Sequence, residues 1–292
     1  MLTRLLTSFS RITFLLFICL PASYAQQTVI WASTSAPDEP IYKEYTSIQL
    51  GFEIQRLVFA HLPEYQIQYR PQNGSRVFWE LLNEPNVCTG TKIRTAKRDA
   101  QAVASRFPQV LIEGLRLMVR EQDEVFDDMD INTPTDMLSF MQRYPKALLG
   151  YVIGRSYGDA IDQQLQYLNT SGKVYQRSAE HGSIGAIDML LEGKVNVILD
   201  FLILTQDYLK QRQNPIGLRY VELAGADTYA NGHIYCSNSQ FGQRLMKKIN
   251  KVMQNAVKER IYLDIHLSYI DPKRHVAFID YYNKTFETSF RK

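Results

Sequence analysis

The sequence predicts an α/β fold arranged as two lobes, and three observations carry that expectation. Short apolar strands alternate with amphipathic helices in one block before about Arg120, and the rhythm restarts after Ala147. The first residues read as an export signal, which sends the cysteines to an oxidising compartment. Two cysteines remain after that signal, one in the first block and one beyond the second, so a bridge between them would bring the chain back to where it started.

The signal occupies residues 1–25. Basic Arg4 and Arg11 precede the apolar run Ile12 to Leu20, Pro21 breaks it, and Ser23-Tyr24-Ala25 supplies a small-residue cleavage site. The run is short for a bilayer span, so a retained anchor is the lesser reading. Bulky Phe17 and Ile18 ahead of Cys19 argue against a lipid-attachment site. No later stretch is long and apolar enough to span, and the expected location is the periplasm.

"TVIWAS" (Thr28 to Ser33) is a buried strand by its β-branched and aromatic residues, and the two prolines of "SAPDEPIY" make a loop. Tyr45, Ile48, Phe52, Leu57 and Val58 recur at helical spacing through Leu62. "YQIQYRP" alternates as a strand. "GSRVFWELLNEPN" is a helix with Ser75 at its N-cap, stopped by Pro85. "NVCTG" is a short strand, and "EGLRLMVR" (Glu113 to Arg120) is one strand.

The second block runs "ALLGYVIG" strand, "SYGDAIDQQLQYL" helix and "KVYQRS" strand. "SIGAIDMLLEGK" follows as a helix with Ser183 as N-cap and Gly193 as stop. "VNVILDF" strand, "LILTQDYLKQR" helix and "LRYVELA" strand complete it. This alternation predicts parallel βαβ layers. After "GHIYCSN" comes a strongly amphipathic helix, apolar at Phe241, Leu245, Ile249, Val252, Met253 and Ala256. A second short helical pattern follows in "DPKRHVAFIDYYNKTF".

Cys88 and Cys236 form the expected disulfide; two separate buried thiols are the other reading. A bridge implies a discontinuous first lobe with the second lobe inserted, joined by two crossing strands, for which "EGLRLMVR" and "LRYVELA" are the candidates. The first lobe is then 26–118 and 225–292, and the second 119–224. Charge adds little: the formal net charge is +3, two of it from the signal's arginines, and no basic block points to nucleic acid.

The sequence resembles the type II periplasmic solute-binding proteins, the family 3 extracellular solute-binding group. The likeness covers essentially all of 26–292, and a cysteine-bearing branch of the group is nearest. It is carried by "VIWAS…DEPIY", "CTGTKIRTAKR…FPQV…LRLMVR", "GRSYGDAID", "GSIGAIDMLLEGKVNVILD" and "IYCSNSQFGQRLMKKIN", in that order. The resemblance implies a two-lobed type II periplasmic binding protein fold that closes on a ligand by hinge motion. It implies delivery of a small, carboxylate-bearing solute to a transporter, with a membrane permease or receptor as partner, no cofactor and a monomeric chain.

In that family's amino-acid binders a Thr-x-x-Arg step holds the ligand carboxylate, and Thr95 and Arg98 match it. A guanidinium binds a carboxylate through two parallel hydrogen bonds, whereas an exposed Arg98 would simply pair with Asp99. Lys92, Arg94 and Lys97 read as a solvated face. In the second lobe Ser156 matches the family hydroxyl between Arg155 and Tyr157, though a plain N-cap uses the same geometry. The acid that meets the ligand's ammonium is missing from its place: Asn196 stands at the first position and Asp200 is displaced by one, while Asn86 replaces another acid. An organic acid, a peptide fragment or a larger solute becomes the alternative to an α-amino acid. Trp31, at a strand end, is the aromatic candidate for the pocket; Trp79 is expected in the core; and Tyr42 and Tyr229 border the cleft.

A sensing subunit that docks on a separate membrane receptor needs the same clamp. Catalysis finds no support: no nucleophile elbow, zinc-binding or phosphate-loop motif is present, and the five histidines are scattered.

Overall fold

The computed structural model describes residues 26–37, 46–177, 182–212 and 216–291. The signal segment, Cys19 and Tyr42 lie outside the described residues.

Two mixed sheets form the molecule, each flanked by helices. The first runs β2 (Tyr65–Pro71), β1 (Gln27–Ser33), β3 (Val87–Ile93), β11 (Tyr229–Ser237), β4 (Ala102–Ala104), with β5 (Val110–Glu113) also paired to β11. The second runs β10 (Leu218–Glu222), β6 (Leu115–Arg120), β9 (Val197–Phe201), β7 (Leu149–Val152), β8 (Val174–Arg177). The expected parallel layers are present only in part. β1, β2 and β3 are parallel, as are β7, β8 and β9. The strands that bring the chain into and out of the second sheet break the rule: β6 is antiparallel to β9 and to β10, and β11 is antiparallel to β3.

The segment expected as one strand, Glu113 to Arg120, is two. Gly114 divides β5 from β6 and is where the chain changes sheet, inside the span assigned to the first lobe. The returning chain runs alongside: the Gly114 N–H donates to the Thr228 carbonyl at 2.8 Å. A Cβ at 114 would collide with the Asp227 carbonyl, so two backbones pass here at a distance only glycine permits.

The first sheet's largest apolar cluster lies between Thr46–Phe59 and the C-terminal helices Gln240–Ala256, Arg260–Leu267 and His275–Phe286. Leu245, Met246, Ile249 and Met253 are buried on one face of Gln240–Ala256, and Lys247, Lys248 and Lys251 are exposed on the other. Ser239 caps that helix, accepting from the Gly242 N–H at 2.9 Å. In the second sheet Leu117, Val119, Phe126, Leu149, Val197 and Leu199 form the core.

Cys88 and Cys236 are directly opposed on β3 and β11 and are joined by a disulfide, with both residues fully buried. The bridge closes a 148-residue separation and binds the outgoing strand to the returning one.

Two caps differ from expectation. Asn73, not Ser75, caps Gly74–Asn83, accepting from the Arg76 N–H at 2.9 Å. Ser183 lies within the helix Gly182–Leu191, not at its cap, and its hydroxyl is engaged elsewhere. Trp79 is not in the core: it is 48 % exposed, with the Arg76 guanidinium over its ring at 4.0 Å. The buried face of that helix is Val77, Glu80 and Leu81.

Candidate functional site

A cleft between the two sheets is lined by residues of both. Its walls come from the C-terminal ends of parallel strands and the turns beyond them, where ligands sit in open α/β sheets. β1 contributes Trp31 and Ser33, β3 contributes Lys92, and the end of β7 leads to Gly154, Arg155 and Ser156.

Arg98 lines the cleft. Thr95 caps the short helix Ala96–Asp99 by accepting from the Arg98 N–H at 3.2 Å, which sets the backbone from which Arg98 projects. Thr95 itself is buried and off the cleft wall. The Arg98 guanidinium donates to the Ile93 carbonyl at 2.8 Å and lies over the Phe78 ring at 4.3 Å. Asp99 does not pair with it: Arg94 takes that carboxylate at 2.7 Å, and the Tyr235 hydroxyl also donates to it. Among the described residues Arg98 therefore has no carboxylate partner. Burial lowers its tendency to hold a proton, and Tyr235, Asp162 and Asp159 partly offset this.

Lys92 was expected on a solvated face with Arg94 and Lys97, and it is not there. Its side chain lines the cleft, while Lys97 is exposed and Arg94 is paired. Thr91 explains the difference. It has a left-handed backbone (φ 56), and the β3–β11 register slips between His233 and Tyr235. A bulge of this kind re-aims the next side chain. Gln109 holds it in place, accepting from the Thr91 N–H at 2.8 Å and donating to the Gly51 carbonyl at 2.7 Å. Burial pushes the Lys92 ammonium down to about 7, with help from the like charges of Arg98 and Arg155.

On the opposite wall Arg155 donates to Asp200 at 2.7 Å and to the Ser183 hydroxyl at 2.7 Å. Burial is the largest single influence and works against its charge, but Asp200 and Tyr157 together outweigh it and raise its hold on the proton. Asp200 is fully buried and off the cleft wall, and it also accepts from the Phe201 N–H at 2.8 Å. Ser156 lines the cleft, donates to Asp162 and accepts from the Gly158 N–H at 3.2 Å. It is a turn residue; Gly158 is the N-cap of Asp159–Thr170. Tyr157 is buried behind the wall, its hydroxyl accepting from the Val152 N–H at 3.0 Å, and burial raises its phenol further.

Trp31 is both core and wall. It is 2 % exposed, packs edge-on against Phe59, and forms part of the cleft lining with Phe52 and Phe78. Tyr229, expected at the border, packs against Phe278 and Tyr281 in the core instead. Of the sequence candidates the structure thus brings Trp31, Arg98, Arg155 and Ser156 to one cavity and leaves Thr95, Tyr157 and Asp200 as their supports. Lys92, Gln109 and Ser183 had no recognised site role in the sequence.

Among the described residues no group of three or more His, Cys, Asp or Glu could hold a metal, and no helix is long and apolar enough to cross a membrane.

No protein-family model and no curated protein matches the sequence. Solved structures do. An ancestral arginine-binding protein bound to arginine superposes with a TM-score of 0.62 at 15 % identity, over 85 % of this chain and 99 % of that one. A Streptococcus mutans structure, described for glutathione import via GshT and the cystine ABC importer TcyBC, gives 0.61 at 16 %, over 86 % and 99 %. An ancestral amino-acid-binding protein, a precursor of cyclohexadienyl dehydratase, gives 0.57 at 10 %, over 85 % and 96 %. These likenesses, added to the two sheets and the double crossing between them, show that the chain has the type II periplasmic binding protein fold.

Proposed function

We propose that the protein is an exported solute-binding clamp. It closes two lobes, 26–118 with 225–292 and 119–224, on a small carboxylate-bearing solute and passes that solute to a membrane partner. The observation that carries this is Arg98: a guanidinium fixed by the Ile93 carbonyl and the Phe78 ring, on a cleft wall, with no carboxylate of the described chain to satisfy it. A ligand carboxylate supplies the missing acceptor. The other wall, with Arg155 and Ser156, comes from the second lobe, so that a ligand reaching both walls favours closure.

Binding rather than catalysis is supported by the wall chemistry. The described residues lining the cleft include no His, Cys, Asp or Glu, and so no Ser–His or Cys–His pair. Solved neighbours that bind arginine, or that belong to importer systems, are consistent with this reading. The signal-like segment 1–25 supports a location outside the inner membrane.

The test is a thermal-shift screen of mature protein purified from an oxidising compartment and stripped of carried ligand by unfolding and refolding. The panel holds amino acids, short peptides, organic acids, polyamines and muropeptide fragments. A binder at a hundredfold over its Kd adds roughly 2.7 kcal/mol, several degrees for a chain of this size. The expected hit bears a carboxylate and loses at least about tenfold in affinity in Arg98→Ala. Full affinity in Arg98→Ala would remove the carboxylate role.

A further inference from the structure

The cleft carries more positive charge than a single carboxylate uses. Lys92, Arg98 and Arg155 all line it, and the described lining residues include no acid. Only Arg155 is balanced, by Asp200. Lys92 makes no hydrogen bond or ion pair with a described residue, and the bulge at Thr91 directs it into the cavity. An uncompensated cation in a partly closed cleft is costly until a counter-charge arrives: burial already pushes Lys92 down to about 7, and an anionic group beside it would keep it protonated.

Asp200 cannot serve as an ammonium partner as it stands. One carboxylate oxygen is taken twice, by Arg155 and by the Phe201 N–H. The other is buried, unpartnered and off the cleft wall. A ligand ammonium would instead face basic side chains, with no acid among the described lining residues. Apolar side chains, Trp31, Phe52, Phe78, Ile153, Ile184 and Leu204, line part of both sides, between neutral polar ones such as Ser33, Gln109 and Ser156.

We propose that the cleft takes a doubly anionic organic acid with an apolar body and no ammonium group, Arg98 meeting one acidic group and Lys92 the other. This rests on the clamp reading above and names its ligand class. A monoanion leaves Lys92 uncompensated; a zwitterion adds a cation where no acid among the described lining residues faces it. The dianion satisfies both free cations and lays its carbon skeleton against Trp31 and Phe52.

The experiment is calorimetric titration of stripped, refolded mature protein with matched compounds: phenylsuccinate, 3-phenylpropanoate and L-phenylalanine, and glutarate with L-glutamate. Phenylsuccinate is expected to bind at least about tenfold tighter than either 3-phenylpropanoate or L-phenylalanine, and glutarate tighter than L-glutamate. Lys92→Gln should lower phenylsuccinate affinity about tenfold or more while changing 3-phenylpropanoate by less than about threefold. An amino acid as the tightest binder would overturn the dianion assignment and leave the clamp standing. So would a dicarboxylate affinity untouched by Lys92→Gln. No heat from any of the five would overturn this inference, while the clamp stands or falls by the wider thermal-shift panel.

Discussion

Arg155 donates to Asp200 across 2.7 Å, and this pair separates the cleft from the core of the second lobe. The arginine keeps 26 % of its side chain in solvent and the aspartate none. That asymmetry predicts an order of effects. Arg155→Ala strips a fully buried carboxylate of its counter-charge and should cost about 3–5 kcal/mol. Asp200→Ala leaves a cation that still reaches water, and should cost less. Urea unfolding of both single variants and the double variant tests this: the double should lose less than the sum, and an inverted order would refute the account.

The disulfide joins adjacent strands yet closes a 148-residue separation, so it constrains the unfolded chain strongly. Replacing both cysteines with alanine should lower stability by about 2–5 kcal/mol. Because both residues are 0 % exposed, reductant should leave the folded protein intact and act only once denaturant opens it. Ready reduction under native conditions would contradict the burial.

Two histidines predict acid sensitivity. His266 is fully buried; its Nδ1 donates to the Tyr262 carbonyl at 2.8 Å, and its Nε2 accepts from the Leu111 N–H at 3.1 Å. Accepting from Leu111 requires the neutral ring. Burial depresses His266 to about 4, against the Tyr262 bond, and His233 likewise to about 4, against its bond to Ser105. The unfolded rings titrate near ~6.5, so the unfolded state binds more protons between there and 4. Stability is fully present above ~6.5 and falls with pH through that window, by up to about 3 kcal/mol per ring. Urea midpoints at stepped pH should show the fall. An imidazole NMR titration near neutrality in the folded protein would assign the rings to solvent instead.

The strand–helix alternation was legible because it is written in local spacing, and export plus a cysteine count was enough to anticipate the Cys88–Cys236 bridge. The wall of the cleft was less so. Arg98 could be weighed against pairing with Asp99, but only the fold shows that Arg94 takes that acid first. Lys92 follows one left-handed residue, and the bulge there breaks the alternation by which a strand is read. The neutralisation of Asp200 depends on Arg155, 45 residues earlier and on another element. Asn73, Gly74 and Ser75 all suit a helix start, so the cap could be misplaced by two residues without any change in the helix.

The approach of the lobes rests on Gly154, and this gives the last prediction. A Cβ there would lie 2.8 Å from the Ser75 nitrogen and 2.7 Å from its hydroxyl oxygen, both in the first lobe. Nearby the Ala96 N–H reaches toward the Asp159 carboxylate at 3.5 Å, a second crossing of the same gap. Gly154→Ala should therefore hold the lobes apart and weaken the tightest binder of the thermal-shift panel by about tenfold or more. The substitution also strains the backbone, since φ is 78 there, which costs about 1 kcal/mol in folding alone. Gly172→Ala separates the two effects: φ is 70, and nothing lies within 4 Å of its added Cβ. It should lose similar stability and keep full affinity. In small-angle scattering, ligand should compact the Gly172→Ala protein and leave Gly154→Ala expanded. Equal affinity and equal compaction in the two variants would show that binding does not require the lobes to meet at Gly154.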